Sequence, residues 1–373
     1  MKKLVIVFAA LMAGAFAFAS CDKNDGPVEP PITSQPSDTV PKYTVTVRCA
    51  DGWGTVSVGA SSSATTEVRE GAAVTITATP ADGCEFVCWT YTVDGESLRA
   101  DAPTFEYPEV RSDMSFTAVF SRTDYEMVFE DDFEQADAVP DPAKWTLCDR
   151  GSSAWCKHMS ESYDQAYVRD GRLVLVAEKV DGEYRAGGVR MLNDLGFMYG
   201  RVEVAARFAV MAQGSWPAIW MMPSRPMWSG WPQCGEIDIM EHLNRESNVW
   251  NVIHSHYVDN LGHRSDPVYS ATPSVKTSDV NVYAIDWTED AIKFSVNGKT
   301  TLSYPNLHLA DNATVKQWPF DAPFYLILNN ALGGAGTWPG NIIDSQLPSL
   351  FEIEYVKVMN PIVQYSETMG EDS

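Results

Sequence analysis

Three acidic residues are concentrated in residues 236 to 241, where the sequence is Glu-Ile-Asp-Ile-Met-Glu. Acidic and apolar side chains alternate from Glu236 to Ile239, which is the period of a β-strand with one acidic and one apolar face. Strict alternation would place Glu241 on the apolar face. One extra residue, a β-bulge at about Ile239 or Met240, would return Glu241 to the acidic face. The pattern therefore predicts a bulged strand that presents three carboxyl groups in a row.

Carboxyl groups packed this closely raise at least one pKa, and such groups are concentrated at functional sites. Hydrolysis of a glycosidic bond needs two of them, one ionised and one protonated. Asp238 lies between Glu236 and Glu241 and could share a proton with Glu236. The alternative, an edge strand with a solvated acidic face, is disfavoured by the tryptophan-rich sequence that precedes it.

Tryptophans near the acids could bind sugar rings, whose flat C–H faces pack on aromatic side chains. Trp220 alternates with Ile219, so one of these two must belong to the core. The candidate platforms are Trp216, Trp220, Trp231 and Trp338. The combination of acids and tryptophans predicts a carbohydrate-binding cleft.

Several segments, in order along the chain, resemble glycoside hydrolase family 16, in particular its laminarinase-like endo-β-glucanase branch. The resemblance covers about residues 124 to 360. The matching segments are Phe129–Phe133, Tyr199–Glu203, Trp216–Trp220, Gly235–His242, Val252–His254, Tyr283–Trp287, Phe324–Asn329 and Glu354–Val358.

The resemblance implies an all-β fold, a β-jelly-roll sandwich of the concanavalin A-like type with a cleft on its concave face. It also implies endo-acting hydrolysis with retention of configuration. Glu236 would be the nucleophile, Glu241 the general acid/base and Asp238 an electrostatic helper, with the working carboxyls roughly 5–5.5 Å apart. Arg190 and Asn329 match positions near the cleft and are expected to bind substrate. His254 is also expected there, where it could bind the acids or sugar hydroxyls. His256 is expected on the same strand face as His254.

No cofactor is expected for catalysis. Many family members hold a structural calcium ion, and the matching positions here are Asp132, the carbonyl of Gly171 and Glu354. The usual acid at the last position is Asp, but Glu354 could still reach calcium, which tolerates variable oxygen geometry.

The charge of −23 argues against nucleic acids and acidic polymers as partners, because both would be repelled. A neutral polysaccharide or glycan carries no such penalty. We expect a monomer.

The N-terminus, residues 1–21, has the features of a lipoprotein signal peptide: two lysines, an apolar stretch and a lipobox-like end at Cys21. Lipidation of Cys21 would anchor an exported protein to the outer membrane, and we expect it at the cell surface. Residues 22–41 are rich in Pro, Ser and Thr and predict a disordered linker. The other six cysteines could remain free or form pairs such as Cys148 with Cys156, and their spacing does not decide between these.

Residues 42–122 contain short alternating strands and resemble the β-grasp-like repeat modules of bacterial surface proteins. Trp53 and Trp89 could form a sugar platform there, but a core position for Trp89 and a spacer role for the module are favoured. From 123 to 361, strands recur every eight to twelve residues, which is typical of a two-sheet sandwich. Residues 362–373 are expected to be a flexible tail.

The leading functional hypothesis is a retaining endo-hydrolase of β-1,3- or mixed β-1,3/1,4-glucans. Within the same fold, an endo-β-1,4-galactosidase that acts on mucin O-glycans or galactans is the alternative. A non-catalytic surface glycan-binding protein is the third, but it predicts loss of Glu236 or Glu241, and both are present.

Overall fold

The computed structural model describes residues 40–59, 62–136 and 138–366. The predicted signal peptide, Cys21 and almost all of the predicted linker lie outside these ranges. Among the described helices, none is long and apolar enough to cross a membrane.

Eight strands, in which apolar side chains alternate with polar ones, build the N-terminal module. They are β1 (Lys42–Arg48), β2 (Gly54–Val58), β3 (Thr65–Arg69), β4 (Val74–Pro80), β5 (Cys84–Val93), β6 (Glu96–Ala100), β7 (Thr104–Tyr107) and β8 (Met114–Asp131). Strands β2, β4 and β7 form one small sheet, and the others extend the large sheet described below. Trp89 is fully buried in the module core, whereas Trp53 is half-buried with the Arg122 guanidinium 5.2 Å above its ring. The two rings therefore do not form a shared sugar platform.

The remaining residues form fifteen strands and two short helices in the part of the chain that the structure describes. The strands are β9 (Trp145–Leu147), β10 (Ala166–Arg169), β11 (Arg172–Val180), β12 (Glu183–Ala186), β13 (Gly188–Met191), β14 (Gly200–Val210), β15 (Ser215–Pro223), β16 (Glu236–Glu241), β17 (Trp250–His254), β18 (Ser270–Ala271), β19 (Asn281–Trp287), β20 (Ala291–Val296), β21 (Lys299–Pro305), β22 (Phe324–Leu332) and β23 (Ser349–Tyr365). The helices are α1 (His256–Asp259) and α2 (Asn312–Val315).

These strands form two facing sheets, as the strand spacing predicted. The inner sheet has the order β18-β17-β16-β15-β22-β13-β9, and the outer sheet includes β21-β20-β19-β14-β23. Apolar side chains from both sheets fill the space between them in one continuous core that includes Ile219, Ile237, Tyr283 and Phe351. The all-β sandwich is confirmed, and the inner sheet carries the three acids on the surface that faces away from this core.

A two-stranded ribbon connects the module to the sandwich. Strand β8 runs without interruption through the predicted boundary between residues 122 and 123, and β23 pairs with it from Val356 opposite Asp131 to Tyr365 opposite Ser121. The predicted flexible tail is therefore wrong for residues 362–366: residues 362–365 continue β23, and Ser366 exchanges hydrogen bonds with Phe120. Residues 367–373 lie outside the described ranges.

We expect a chain that ends at Asn360 to lose the outer half of this ribbon. Backbone amides of β8 from Ser121 to Tyr125 lose partners or shielding on β23, so their hydrogen exchange should accelerate at least about tenfold. Exchange measured by mass spectrometry on the full chain and the shortened one tests this. A chain that ends at Ser366 is the control, because it keeps every pair of the ribbon. Unchanged protection in the shorter chain would contradict a structural role for residues 361–366.

Candidate active site

Strand β16 carries the acids, and its register shows the predicted bulge. On β15, Trp220 opposes Asp238 and the adjacent Ile219 opposes Met240, so Ile239 has no partner. The register with β17 also shifts between Asp238 and Glu241. The extra residue turns Met240 into the core beside the isoleucines and returns Glu241 to the acidic face.

Glu236 and Glu241 line one cavity of about 950 Å³ on the inner sheet. Each is held by an indole. Trp231 Nε1 donates to Glu236 Oε2 at 2.9 Å, and Trp216 Nε1 donates to Glu241 Oε1 at 2.9 Å. Asp238 is 2% exposed and does not line the cavity. Glu236 and Glu241 thus line the same space, and Asp238 is buried behind them.

Burial raises the pKa of all three carboxyls, since each loses contact with water. For Glu236, the charge of His254 and hydrogen bonds from Trp231 and Asp238 oppose this rise. For Asp238, the charges of Glu236 and Glu241 add to it, and its pKa lies well above the usual range. Burial, followed by the charge of Glu236, raises the pKa of Glu241 to about 7. The neighbouring charges and hydrogen bonds thus favour the ionised form of Glu236 and the protonated form of Asp238.

His254 lies beside the acids, as predicted, because it pairs with Glu236 across β16 and β17. Its Nε2 is 3.4 Å from Asp238 Oδ2, and its Nδ1 is 3.1 Å from Asp259 Oδ1. His256, in contrast, does not share its strand face: the strand ends at His254, and His256 begins α1. The alternation that predicted the pair is broken by the Ser255 N-cap.

The four predicted tryptophan platforms all line the cavity. Trp231 is 56% exposed and Trp338 is 47% exposed, so both offer ring faces to a ligand. Ile219 takes the core position and leaves Trp220 on the cavity side.

Two further cavity tryptophans were missed by the sequence analysis. Trp155 packs edge-on against Trp220 with ring centroids 4.8 Å apart, and Trp250 packs against Trp338 at 5.4 Å. Trp250 could have been found, because it alternates with His254 on β17 and opposes Glu241. Trp155 belongs to a loop that no periodicity locates.

Asn329 does not bind substrate directly, contrary to the prediction. It is 1% exposed and lies outside the cavity lining. Its side-chain oxygen accepts from Trp220 Nε1 at 2.7 Å, and its Nδ2 donates to the Trp216 carbonyl at 3.2 Å. Asn329 therefore positions two tryptophans.

Arginines contribute to the cavity wall although the chain is strongly acidic. Arg190 lines it as predicted, and Arg150 and Arg264 line it without having been predicted. Arg190 lies 3.7 Å from Asp149, whereas Arg150 Nε is bound to the Met159 carbonyl. Arg264 stands 5.8 Å from the ring centre of Tyr269. These cations place positive charge in a wall that also carries Asp149, Glu236, Glu241 and Asp259.

All six described cysteines are free thiols, so none of the conceivable disulfides is formed in this structure. Cys148 and Cys156 are both buried and contribute to the cavity wall beneath Trp220. Burial raises the pKa of the Cys148 thiol, which makes it an inert apolar wall residue.

The predicted calcium ligands lie together on the outer sheet. Asp132, Gly171 and Glu354 all line a depression of about 490 Å³. Their oxygens suit calcium in type. However, Arg172 Nη2 binds Glu354 Oε1 at 3.1 Å, and Lys357 also lines the depression. Arg172 therefore competes with a metal ion for Glu354, whereas Lys357 pairs with Glu130, so the residues fit calcium only in part.

Family models match both parts of the chain. The model for glycosyl hydrolases family 16 matches residues 156–356, and the model for the divergent InlB B-repeat domain matches residues 43–124. The second match agrees with the repeat-like module that the sequence predicted.

Two characterised relatives differ in substrate. A keratan-sulfate endo-1,4-β-galactosidase of Sphingobacterium multivorum is 39% identical over 271 residues, which are 71% of this chain and 62% of that protein. A β-glucanase of Rhodothermus marinus is 33% identical over 246 residues, 63% of this chain and 85% of that protein. The chain thus spans less than two thirds of the length of the first relative.

Similar solved structures also come from enzymes with these two kinds of substrate. A chain from work on endo-acting O-glycanases with which members of the human gut microbiota initiate mucin breakdown has a TM-score of 0.57 and 35% identity, covering 62% of this chain and 98% of its own length. The laminarinase of Rhodothermus marinus has a TM-score of 0.57 and 32% identity, covering 64% of this chain and 99% of its own length.

Proposed function

Because the chain belongs to glycosyl hydrolases family 16, we propose that it is a retaining, endo-acting glycoside hydrolase and that the inner-sheet cavity is its active site. The observation that carries this proposal is the pair Glu236 and Glu241, which line the same cavity, with neighbouring groups that favour an ionised Glu236 and a pKa of Glu241 that is raised to about 7. A nucleophile and an acid with different ionisation are what double displacement needs.

In the first step, the ionised Glu236 attacks the anomeric carbon while Glu241 donates its proton to the departing oxygen. The glycosyl group is then an ester of Glu236, which has lost its charge. The pKa of Glu241 falls as a result, because the charge of Glu236 is one cause of its rise. Glu241 can then deprotonate the water that releases the sugar, so one residue serves as acid and then as base.

For the substrate, we favour a β-galactoside within mucin-type or keratan-type glycans. The 39% identity to a keratan-sulfate endo-1,4-β-galactosidase supports this choice. So do Arg150, Arg190 and Arg264 in the cavity wall, since such glycans carry acetamido, carboxylate or sulfate groups that guanidinium groups bind. A neutral β-glucan offers only hydroxyls.

A β-1,3- or mixed-linkage glucan is the second candidate. The β-glucanase and the laminarinase of Rhodothermus marinus, 33% and 32% identical, support it. Exposed tryptophans such as Trp231 and Trp338 suit either sugar.

Product analysis distinguishes the two candidates. The chain from residue 22 onward and its Glu236→Gln variant are incubated in parallel with four glycans. These are keratan sulfate, porcine gastric mucin glycans, laminarin and barley mixed-linkage glucan. We expect oligosaccharides that end in a reducing galactose from keratan sulfate and mucin glycans only. The Glu236→Gln variant should release no products. Products only from the glucans would favour the second candidate. Binding without products from any of the four would overturn the proposed hydrolysis.

Three features outside the active site complete the proposal. A lipid at Cys21 anchors the exported chain to the outer membrane. The chain is a monomer, and the module of residues 42–122 acts as a spacer. Calcium, if bound near Asp132, must compete with Arg172 for Glu354. The motif at the N-terminus supports the anchor, and the oxygen ligands support the calcium.

A further inference from the structure

The imidazole of His254 lies between carboxyl groups on both of its edges. Nε2 faces Asp238 Oδ2 at 3.4 Å, and Nδ1 lies 3.1 and 3.2 Å from the two oxygens of Asp259. Asp238 Oδ2 is buried without a hydrogen-bond partner. Hydrogen bonds between catalytic groups are often long before substrate binds, and a buried oxygen aimed at a ring nitrogen points to such a contact.

Asp259 is held in place by the local backbone. The Ser255 side chain caps α1 by accepting from the Val258 backbone N–H, and the Ser255 N–H donates to Asp259 Oδ2 at 3.1 Å. The short helix thus turns Asp259 back toward the residue at which β17 ends. Asp259 lies at the cavity wall, with its side chain 14% exposed.

We propose that Asp259 is a positioning residue of this active site, which fixes the proton on Nδ1 of His254 and keeps Nε2–H directed at Asp238. The proposal rests on the hydrolase function proposed above. Carboxylate oxygens accept hydrogen bonds, so Nδ1 must be the donor to Asp259. With Nε2 also protonated, Asp238 can only accept from it through Oδ2. The proton of Asp238 is then available to Glu236 alone.

The proton on Nε2 of His254 determines whether Asp238 donates its own proton to Glu236, the nucleophile. Asp238 hydrogen-bonds Glu236, and this bond lowers the pKa of Glu236 against the effect of burial. If Nε2 lost its proton, it would accept from Asp238, and Glu236 would lose that bond. The nucleophile would then be less well oriented and less stabilised in its ionised form.

The titratable groups that face His254 are Glu236, Asp238, Glu241 and Asp259. Burial alone would lower the pKa of His254, but the hydrogen bond to Asp259 and the charges of Glu236, Asp259 and Glu241 outweigh burial, so the pKa is raised. Replacing Asp259 by Asn removes the negative charge and leaves at most a neutral hydrogen bond from Nδ1 to the amide oxygen. The pKa of His254 should fall by about one unit or more.

The test compares Asp259→Asn and Asp259→Glu with the unchanged protein. We expect Asp259→Asn to lower kcat roughly tenfold with KM changed less than about twofold, because the substrate contacts stay in place. The alkaline limb of the kcat profile, to which Glu241 also contributes, should move to lower pH, since the imidazolium is lost earlier as pH rises. Asp259→Glu keeps the charge and should restore much of the profile.

NMR titration of the histidine ring nitrogens gives a readout that does not depend on activity. The signal of His254, assigned by its loss in His254→Gln, should titrate at lower pH in Asp259→Asn. Asp279→Asn is the matched control, because Asp279 is exposed, pairs with Lys276 and does not line the cavity.

The outcomes separate the possible roles. A raised KM with an unshifted pH profile would mean that Asp259 binds sugar directly, and this overturns the proposal. A lower melting temperature with unchanged kinetics and an unchanged His254 titration would reduce Asp259 to a structural role, which also overturns it. If the unchanged protein hydrolyses none of the glycans, the proposed function fails, and the NMR titration still decides whether Asp259 controls the proton on His254.

Discussion

Glu236→Gln is expected to lower kcat by at least about 10³- to 10⁴-fold on the natural substrate. The amide keeps the shape of the side chain and can still meet Trp231 Nε1 through its oxygen, but it cannot attack the anomeric carbon. The rate is measured by release of reducing sugar, and the fold by circular dichroism. Stability should be unchanged or higher, because burial raises the pKa of Glu236 and the neutral amide avoids that cost of burying a charge.

A matched control for this experiment is Glu246→Gln. Glu246 follows the same strand, is half-buried and does not line the cavity, so its conversion to an amide should leave kcat within about twofold. Activity of Glu236→Gln within tenfold of the unchanged protein would contradict its role as nucleophile. The same follows if the anomeric configuration of the first product, observed by NMR, is inverted instead of retained.

Much of the active site could be predicted because it follows the period of a strand. Alternation placed Glu236 and Asp238 on one face. Because two apolar residues separate Asp238 from Glu241, a bulge was needed to bring Glu241 to that face, and the register with β15 shows this bulge. The same period places Trp250 and His254 together on β17. Neighbouring strands in an antiparallel sheet bring such residues face to face, so a regular sheet makes a site predictable.

Parts of the site that depend on loops and buried hydrogen bonds could not be predicted in this way. Asp259 faces His254 only because β17 gives way to a capped turn of helix at Ser255, and the sequence suggested a continuing strand. Arg150 and Trp155 reach the cavity from a loop that follows β9. Asn329 lies on the predicted strand, but its amide accepts from Trp220 Nε1 and is buried, which strand alternation cannot show.

The ribbon between the two domains was missed for a related reason. Residues 362–373 were predicted to be a tail, although Ile362, Val363 and Tyr365 are typical strand residues. Their partners on β8 lie more than 230 positions earlier, so no local pattern reveals the pairing. A fragment cut at residue 123 would divide β8, and experiments on this protein should therefore keep the module.

Glu241→Gln should also abolish most activity on glycans, but with a different dependence on the leaving group. Without the proton of Glu241, departure of a sugar oxygen should slow roughly 10³-fold, within the range for a lost general acid. An aryl glycoside with an acidic phenol needs little protonation, so its first step should slow less than about tenfold. Kinetics on a series of aryl glycosides of decreasing phenol pKa therefore measures the role of Glu241 directly.

The pH profile provides the second half of this argument. In the unchanged protein, kcat/KM should fall as pH rises through about 7, because the protonated form of Glu241 is required and its pKa is raised to about 7 by burial and by Glu236. This limb belongs to coupled groups, and it should disappear from the residual activity of Glu241→Gln toward aryl glycosides. Azide should then accelerate the second step, since an anionic nucleophile needs no general base, and yield a glycosyl azide of retained configuration. A rate loss that is equal for good and poor leaving groups would show that Glu241 is not the acid, and the indole of Trp216 that binds it would then position a residue with another role.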